Sequence, residues 1–160
     1  MSADTHSSQT TPRIAVFGGR VSSDQLLDEA FEVGRLIAGR GGLLYCGGMG
    51  GVMEAASKGA RESGGDVVGI LPTGDTDHAN PYISIPVVTG IGTARNSIIA
   101  RSVHGGIAID GRYGTLSEIA YGIDFNKPII GINTWDIEGV IPAKDAAEAI
   151  EKLWEVCTWQ

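Results

Sequence analysis

The stretch GIAIDGRYGTLSEIAYGI spans residues 106–123 and indicates the fold class of the chain. Its first four residues predict a buried strand, and residues 119–123 carry apolar side chains at helical spacing. The segment between them, residues 110–118, joins strand to helix through a glycine-rich turn. Such a turn presents backbone N–H groups at the positive end of a helix dipole, which predicts an anion site, usually for phosphate. Arg112 and Glu118 flank that site.

Strand and helix patterns alternate along the rest of the chain. Strands are predicted at residues 13–17, 43–45, 66–71, 85–88, 106–109 and 128–132. Helices are predicted at 24–39, from the second glycine turn to 62, at 93–104, after residues 110–118, and at 143–156. We take Asp24 as the cap of the first helix and Gly39 as its end. Apolar strands separated by helices indicate a parallel sheet covered on both faces. We therefore predict an α/β fold: a single doubly wound Rossmann-like domain with a mainly parallel sheet over residues 13–160, after a disordered tail at 1–12.

Composition narrows the classes of partner. The chain has 160 residues and a formal net charge of −7, which argues against a nucleic-acid partner or a membrane surface. Cys46 and Cys157 have neither zinc-site nor disulfide-scaffold spacing, so we expect a reduced, cytoplasmic setting. We expect no metal site, because His6, His78 and His104 are isolated along the chain. Trp135, Trp154 and Trp159 are expected in the core or at subunit contacts.

Glycines cluster where predicted strands end. The three turns contain Gly18 and Gly19; Gly47, Gly48, Gly50 and Gly51; and Gly111, Gly114 and Thr115. A tight strand-to-helix turn would explain any one of them alone. Three turns at the same sheet edge favour a shared ligand pocket, because such sheets bind ligands at the carboxyl ends of their strands.

Two common nucleotide motifs are absent from the sequence. The second turn lacks the third small residue of the dinucleotide fingerprint and follows the second strand rather than the first. No lysine stands in a Walker A pattern. We therefore expect neither NAD nor ATP as a cofactor.

Arg95 is a second indication of an anion site. Thr93 is a plausible N-cap, which places Arg95 and Asn96 in the first turn of a helix. The helix dipole disfavours a cation there, so either the side chain swings into solvent or an anion binds beside it.

Two carboxylates have two interpretations each. Residues 115–118 (TLSE) match a capping box, in which Glu118 would bond the N-cap amide. The alternative is a catalytic carboxylate. Glu54, in the first turn of its helix, either complements the dipole or contacts a ligand hydroxyl.

Five motifs occur in an order that resembles a known superfamily. They are YCGGMGGVMEAASKGA (45–60), ILP (70–72), ANPY (79–82), GTARN (92–96) and GTLSEIA (114–120). The chain resembles the Rossmann-like superfamily of the LONELY GUY phosphoribohydrolases, proteins once labelled lysine decarboxylases, and molybdenum cofactor carrier proteins. That superfamily shares a fold with the DNA-processing DprA proteins.

The resemblance is greatest to the carrier-protein branch. The phosphoribohydrolases show P-G-G-x-G-T-x-x-E and an Arg-Lys pair. Here Asp110 and Arg112 replace the first Pro and second Gly, and Asn96 replaces the lysine, while Arg95 and Glu118 are retained.

The resemblance implies a protein that binds a phosphorylated heterocycle, with the molybdenum cofactor as the carried ligand. It implies a ligand site built from the glycine turns, Glu54, Arg95, Asn96, Arg112, Thr115 and Glu118, and a homodimer or homotetramer. The alternative is a nucleoside 5′-monophosphate phosphoribohydrolase that releases a free base, with Arg95 and Glu118 catalytic. A third class, a purely structural or protein-binding module, would bind no phosphate ligand.

Overall fold

A computed structural model describes residues 10–160, which form seven strands and five α-helices. In chain order these are β1 (Arg13–Gly18), α1 (Asp24–Gly39), β2 (Leu43–Cys46), α2 (Val52–Glu62), β3 (Val67–Leu71), β4 (Ile85–Val88), α3 (Arg95–Ser102), β5 (Gly105–Ile109), α4 (Tyr113–Asp124), β6 (Ile129–Ile132), β7 (Val140–Ala143) and α5 (Ala146–Val156). His6 and most of the predicted tail lie outside the described residues. Within those residues, none of the helices combines the length and the apolar character needed to cross a membrane.

All seven strands belong to one parallel sheet with the order β4-β3-β2-β1-β5-β6-β7. The chain starts in the middle, runs outward to β4, returns to the other side of β1 with β5, and runs outward again. The predicted doubly wound α/β fold is therefore confirmed. The strand order reverses between β1 and β5, which is where sheets of this kind form a crevice at their carboxyl ends.

Alternate residues of the central strands face two separate apolar layers. Ile14 and Val16 of β1 pack with α1, α2 and α5, whereas Ala15 and Phe17 pack with α3 and α4. Because the central strands are buried on both faces, they are apolar at nearly every position, as is typical of parallel sheets. Strand β4 lies at the sheet edge, where Pro86 is tolerated, and its four residues are exposed.

The cap of α1 and the start of α5 differ from the prediction. Helix α1 has the predicted bounds, but its cap is Ser23, whose hydroxyl accepts from the Leu26 N–H, and Asp24 is the first helical residue. Helix α5 begins at Ala146 rather than at 143, because the Asp145 carboxylate caps the Glu148 N–H at 2.9 Å. Residues 140–143 form the edge strand β7, in which Pro142 conceals the strand pattern.

The predicted capping box at residues 115–118 is wrong. Helix α4 begins at Tyr113, its N-cap is Arg112, and no side chain caps it. Asp110 and Gly111 have φ angles of 52° and 95°, so the chain turns into the helix earlier than the motif suggests. Thr115 is therefore inside the first turn, and Glu118 lies one turn further along, where it cannot reach the N-cap amide.

The predicted N-cap role of Thr93 is also wrong. Residues Gly92–Ala94 form a 3-10 turn, and the N-cap of α3 is Ala94, without a side-chain bond. Arg95 and Asn96 do lie in the first turn of α3, as predicted.

Helices α1 and α2 approach each other through glycine. A Cβ atom on Gly34 of α1 would lie 1.9 Å from the carbonyl oxygen of Ala56 in α2. A Cβ on Gly59 of α2 would lie 2.0 Å from the carbonyl oxygen of Phe31 in α1. The backbones are thus in direct contact, which sets the position of α2 over β1 and β2.

We expect Gly34→Ala to lower the free energy of unfolding by roughly 1–3 kcal/mol, because the added methyl group overpacks this contact. Gly39→Ala is the matched control: it ends the same helix, and a Cβ there meets nothing within 4 Å. The control should raise stability by about 0.5–1 kcal/mol, as alanine does in helices. Urea unfolding of the two variants measures both values, and equal effects would contradict the close contact.

Candidate functional site

A cavity of about 340 Å³ opens between the carboxyl ends of β1 and β5. It lies at the reversal of strand order, and residues of the loops after β1 and β5 line it. Eight of the residues predicted for the ligand site line it. They are Gly18, Gly19, Arg95, Asn96, Arg112, Gly114, Thr115 and Glu118.

Four further residues line the cavity and were missed in the sequence: Arg20, Val21, Met53 and Thr93. Arg20 and Val21 directly follow the first glycine turn, so the rule that ligands bind at strand ends could have found them. Met53 lies on α2 and Thr93 lies in the 3-10 turn before α3, and no local sequence motif identifies either as a cavity residue. Val21 is 88% exposed, which makes it an apolar side chain at the cavity mouth.

The second glycine turn stands behind the cavity rather than in its lining. Gly47, Gly48, Gly50, Gly51 and Glu54 are outside the lining, as is Gly111. The Asn80 side chain donates to the Met49 carbonyl at 2.9 Å, and the Asn80 N–H donates to the Gly48 carbonyl at 2.8 Å. The β3–β4 loop therefore covers this turn.

Gly51 and Gly111 have packing reasons to be glycine. A Cβ on Gly51 would lie 2.3 Å from the Gly19 carbonyl oxygen, which itself accepts the Val52 N–H at 3.0 Å. A Cβ on Gly111 would lie 2.2 Å from the Thr115 hydroxyl oxygen. Both glycines let a loop of the cavity wall pack against a helix start.

The N-terminus of α4 faces the cavity with free backbone donors. The N–H groups of Tyr113, Gly114 and Thr115 donate to no acceptor within the described part of the chain. Gly114 and Thr115 line the cavity. Free N–H groups and the positive end of the helix dipole are thus present where the sequence predicted an anion site, and Arg112 stands next to them.

Arg95 is buried and held by backbone carbonyls. Its Nε donates to the Ile70 carbonyl at 2.8 Å, and one Nη donates to the Gly47 carbonyl at 3.3 Å. A Cβ on Gly47 would lie 2.6 Å from that guanidinium nitrogen, so the glycine leaves room for the arginine. Burial lowers the pKa of Arg95 and the nearby Glu118 opposes this, but an arginine stays charged at neutral pH.

A chain of hydrogen bonds links Arg95 to the α4 N-terminus. The other Nη of Arg95 donates to the Asn96 side-chain oxygen, and the Asn96 amide donates to the Ser117 hydroxyl at 2.9 Å. The Ser117 hydroxyl donates to the Gly114 carbonyl at 2.6 Å. Asn96 therefore joins α3 to α4 beneath the cavity.

Glu118 points into the cavity without a protein partner. Its side chain is 5% exposed and forms no hydrogen bond or salt bridge with any of residues 10–160. Burial raises the pKa of Glu118 to about 8, and Arg95 opposes this shift only in part. The carboxyl group is therefore mostly protonated at neutral pH and does not repel an anion.

The cavity is cationic although the chain as a whole is acidic. Arg20, Arg95 and Arg112 line it, and its single acidic side chain is Glu118. Arg20 and Arg112 are exposed and form no salt bridge with a described residue. Over the same range, no group of three His, Cys, Asp or Glu residues is placed to hold a metal ion. The arrangement suits an anionic organic ligand.

Two solved structures share this fold closely. The molybdenum cofactor binding protein of Rippkaea orientalis is 34% identical, with a TM-score of 0.87, over 91% of this chain and 97% of that protein. The molybdenum cofactor carrier protein of Chlamydomonas reinhardtii is 35% identical, with a TM-score of 0.83, over 91% of this chain and 98% of that protein.

A more distant relative represents the phosphoribohydrolases. A probable cytokinin riboside 5′-monophosphate phosphoribohydrolase of Oryza sativa subsp. japonica is 32% identical over 112 residues. The match covers 67% of this chain but 49% of the rice protein, so this chain spans about half the length of that relative.

The superfamily placement that the motifs predicted is confirmed by these relatives. The model of the SLOG cluster4 family matches residues 11–157, which include every strand and helix of the fold. The chain belongs to the SLOG cluster4 family.

Proposed function

We propose that this protein binds and carries a phosphorylated heterocycle of the molybdopterin type, the organic part of the molybdenum cofactor. The observation that carries the proposal is Gly114. It is the second residue of α4 and lines the cavity, yet a Cβ atom there would meet nothing within 4 Å. A glycine inside a helix costs about 1 kcal/mol relative to alanine. Because packing does not require this glycine, the close approach of a ligand supplies the reason.

A phosphate group fits the chemistry around Gly114. The free N–H groups of α4 would donate to its oxygens, and the adjacent guanidinium of Arg112 would add a charge-assisted contact. Arg20, in the loop after β1, also lines the cavity and supplies a second cation. A cavity of about 340 Å³ also lies within the roughly 300–1,000 Å³ range of small-molecule sites.

Two observations favour carrying over cleavage. Cleaving an N-glycosidic bond develops positive charge on the sugar, which an ionised carboxylate stabilises. Burial raises the pKa of Glu118 to about 8, which lowers its negative charge at neutral pH. In addition, Asp110 has a φ of 52°, which the proline of the hydrolase motif cannot adopt because its ring holds φ near −65°. The turn before α4 therefore differs in backbone from a proline-containing turn.

The two structural relatives support the same choice. Both are named for the molybdenum cofactor, and this chain covers nearly the whole length of each. We accordingly propose the molybdenum cofactor as cargo and a cytoplasmic setting for the protein. The homodimer or homotetramer predicted above stays a prediction; the exposed Ile85, Val87 and Val88 of β4 offer apolar surface that a second copy would cover.

The phosphoribohydrolase alternative rests on Glu118 and Arg95, which line one cavity as they would in an enzyme. In such an enzyme, Arg95 would contact the phosphate of the nucleotide substrate and Glu118 would contact its sugar. The similarity to the rice relative favours this alternative, and it remains the second candidate.

Gly114→Ala tests the proposal directly. We expect it to keep or slightly raise the free energy of unfolding, by up to about 1 kcal/mol, while molybdopterin binding weakens at least tenfold. The methyl group would occupy the space of the ligand phosphate. Affinity is measured by anaerobic titration with molybdopterin released from a purified molybdenum enzyme, and stability by urea unfolding. Unchanged affinity in a stable variant would refute the proposed position of the phosphate.

Arg20→Gln and Arg112→Gln should each weaken molybdopterin binding by roughly tenfold, the scale of one hydrogen bond to a charged group. Each should also reduce the dependence of affinity on salt concentration, because one fewer charge attracts the ligand. Lys58→Gln is the matched control, since it removes one exposed charge from α2, away from the cavity. Equal losses in all three variants would indicate a general charge effect instead.

Incubation with AMP separates the two candidate functions. A carrier releases no adenine, so we expect none by chromatography after prolonged incubation at neutral pH. Adenine release by the wild type that disappears in Glu118→Gln would instead establish the hydrolase and assign the carboxyl group to catalysis. We expect the Glu118→Gln variant to fold, because glutamine matches the shape of the buried glutamate.

A further inference from the structure

The turn between β5 and α4 is held from behind by the β6–β7 loop. The Thr134 hydroxyl donates to the Asp110 carbonyl at 2.6 Å, and the Trp135 indole N–H donates to the Arg112 carbonyl at 3.1 Å. These carbonyls stand on either side of Gly111. One short loop therefore holds both ends of the three-residue turn that leads into the α4 anion site.

The turn needs such support because its backbone is strained. Asp110 has a φ of 52°, in the left-handed region that costs most non-glycine residues roughly 1–2 kcal/mol and that aspartate enters more readily than most. Gly111 follows with a φ of 95°, and Arg112 has a ψ of −143°, outside the helical range. The Asp110 carboxylate also accepts the Ser22 hydroxyl at 2.7 Å, which ties the turn to the loop after β1.

The two residues that support the turn, Thr134 and Trp135, form a brace that is itself fixed by packing contacts. The methyl group of Thr134 packs over Gly131, where a Cβ atom would lie 2.7 Å from it. The Trp135 ring lies 5.9 Å, between centroids, from the ring of Tyr113, the first residue of α4. The loop thus contacts both the end of β6 and the start of α4.

We propose that Thr134 and Trp135 are positioning residues for the ligand site: they hold the turn so that Arg112 and the N–H groups of Gly114 and Thr115 converge on one anion. Neither residue lines the cavity, so both act through the turn. The identity of the anion rests on the proposed function, whereas the bracing of the turn does not.

Thr134→Val removes the hydroxyl and keeps the methyl contact with Gly131. Thr89→Val is the matched control, because the Thr89 hydroxyl donates to the Leu71 carbonyl at the same 2.6 Å distance, and Thr89 is outside the cavity lining. Both variants lose a bond from a hydroxyl to a carbonyl, and Thr89→Val also loses the Ile91 N–H bond to the same hydroxyl at 3.4 Å, so the control should lose at least as much thermal stability. We expect only Thr134→Val to speed amide hydrogen exchange at Leu116, whose N–H bonds to the Arg112 carbonyl of the turn at 2.9 Å, in the ligand-free protein. It should also weaken molybdopterin binding by roughly 3- to 10-fold, and Thr134→Ser should restore both.

Trp135→Phe provides a second test if Thr134→Val folds poorly. It removes the indole donor but keeps a ring beside Tyr113, and Trp159→Phe is its control near the C-terminus. If the amide exchange rate and the molybdopterin affinity are unchanged in a folded Thr134→Val or Trp135→Phe variant, the proposed role of the brace is refuted. A wild type that binds no molybdopterin, together with faster exchange in Thr134→Val, would refute the proposed function and support the brace.

Discussion

The buried guanidinium of Arg95 is the interaction on which the floor of the cavity depends. It bonds to carbonyls that belong to the ends of β2 and β3, and through Asn96 and Ser117 it reaches the first turn of α4. A buried cation needs such partners, because an unpaired one would cost far more than folding provides. The same bonds that satisfy Arg95 thereby connect the two halves of the doubly wound sheet at the point where they meet.

This arrangement changes the part that Arg95 plays in the site. From the sequence, it stands as a counter-charge beside bare amides. In the structure, three of its donors are already occupied by protein oxygens, so it shapes the site and adds positive potential from below. In the function proposed above, direct contact with the ligand anion falls to Arg20, Arg112 and the free N–H groups of α4. These two exposed arginines place positive charge at one crevice of an otherwise acidic protein.

Glu118 completes that electrostatic balance. Its burial next to Arg95 leaves it without a hydrogen bond from residues 10–160, and the resulting rise in its pKa keeps it mostly neutral. A neutral carboxyl group tolerates a phosphate nearby and can still donate to or accept from a ligand. The charge that the surroundings of Glu118 permit therefore bears directly on whether this position binds a ligand or takes part in catalysis.

The sequence alone predicted the doubly wound fold, the bounds of α1 and the glycine turn that leads into α4. Apolar strands, helical periodicity and glycine turns are local patterns, and local backbone physics decides them. The sequence did not identify Ser23 and Asp145 as helix caps or residues 140–143 as a strand, because several residues near each boundary could end or cap an element. The capping box at 115–118 failed because the left-handed Asp110 moved the helix start, and that conformation depends on Ser22 and Thr134 from distant loops. Which glycines line the cavity follows from tertiary packing. The same packing brings Arg20 and Thr93 to the cavity and buries Glu118. The sequence could not show these features, because they depend on contacts between residues far apart in the chain.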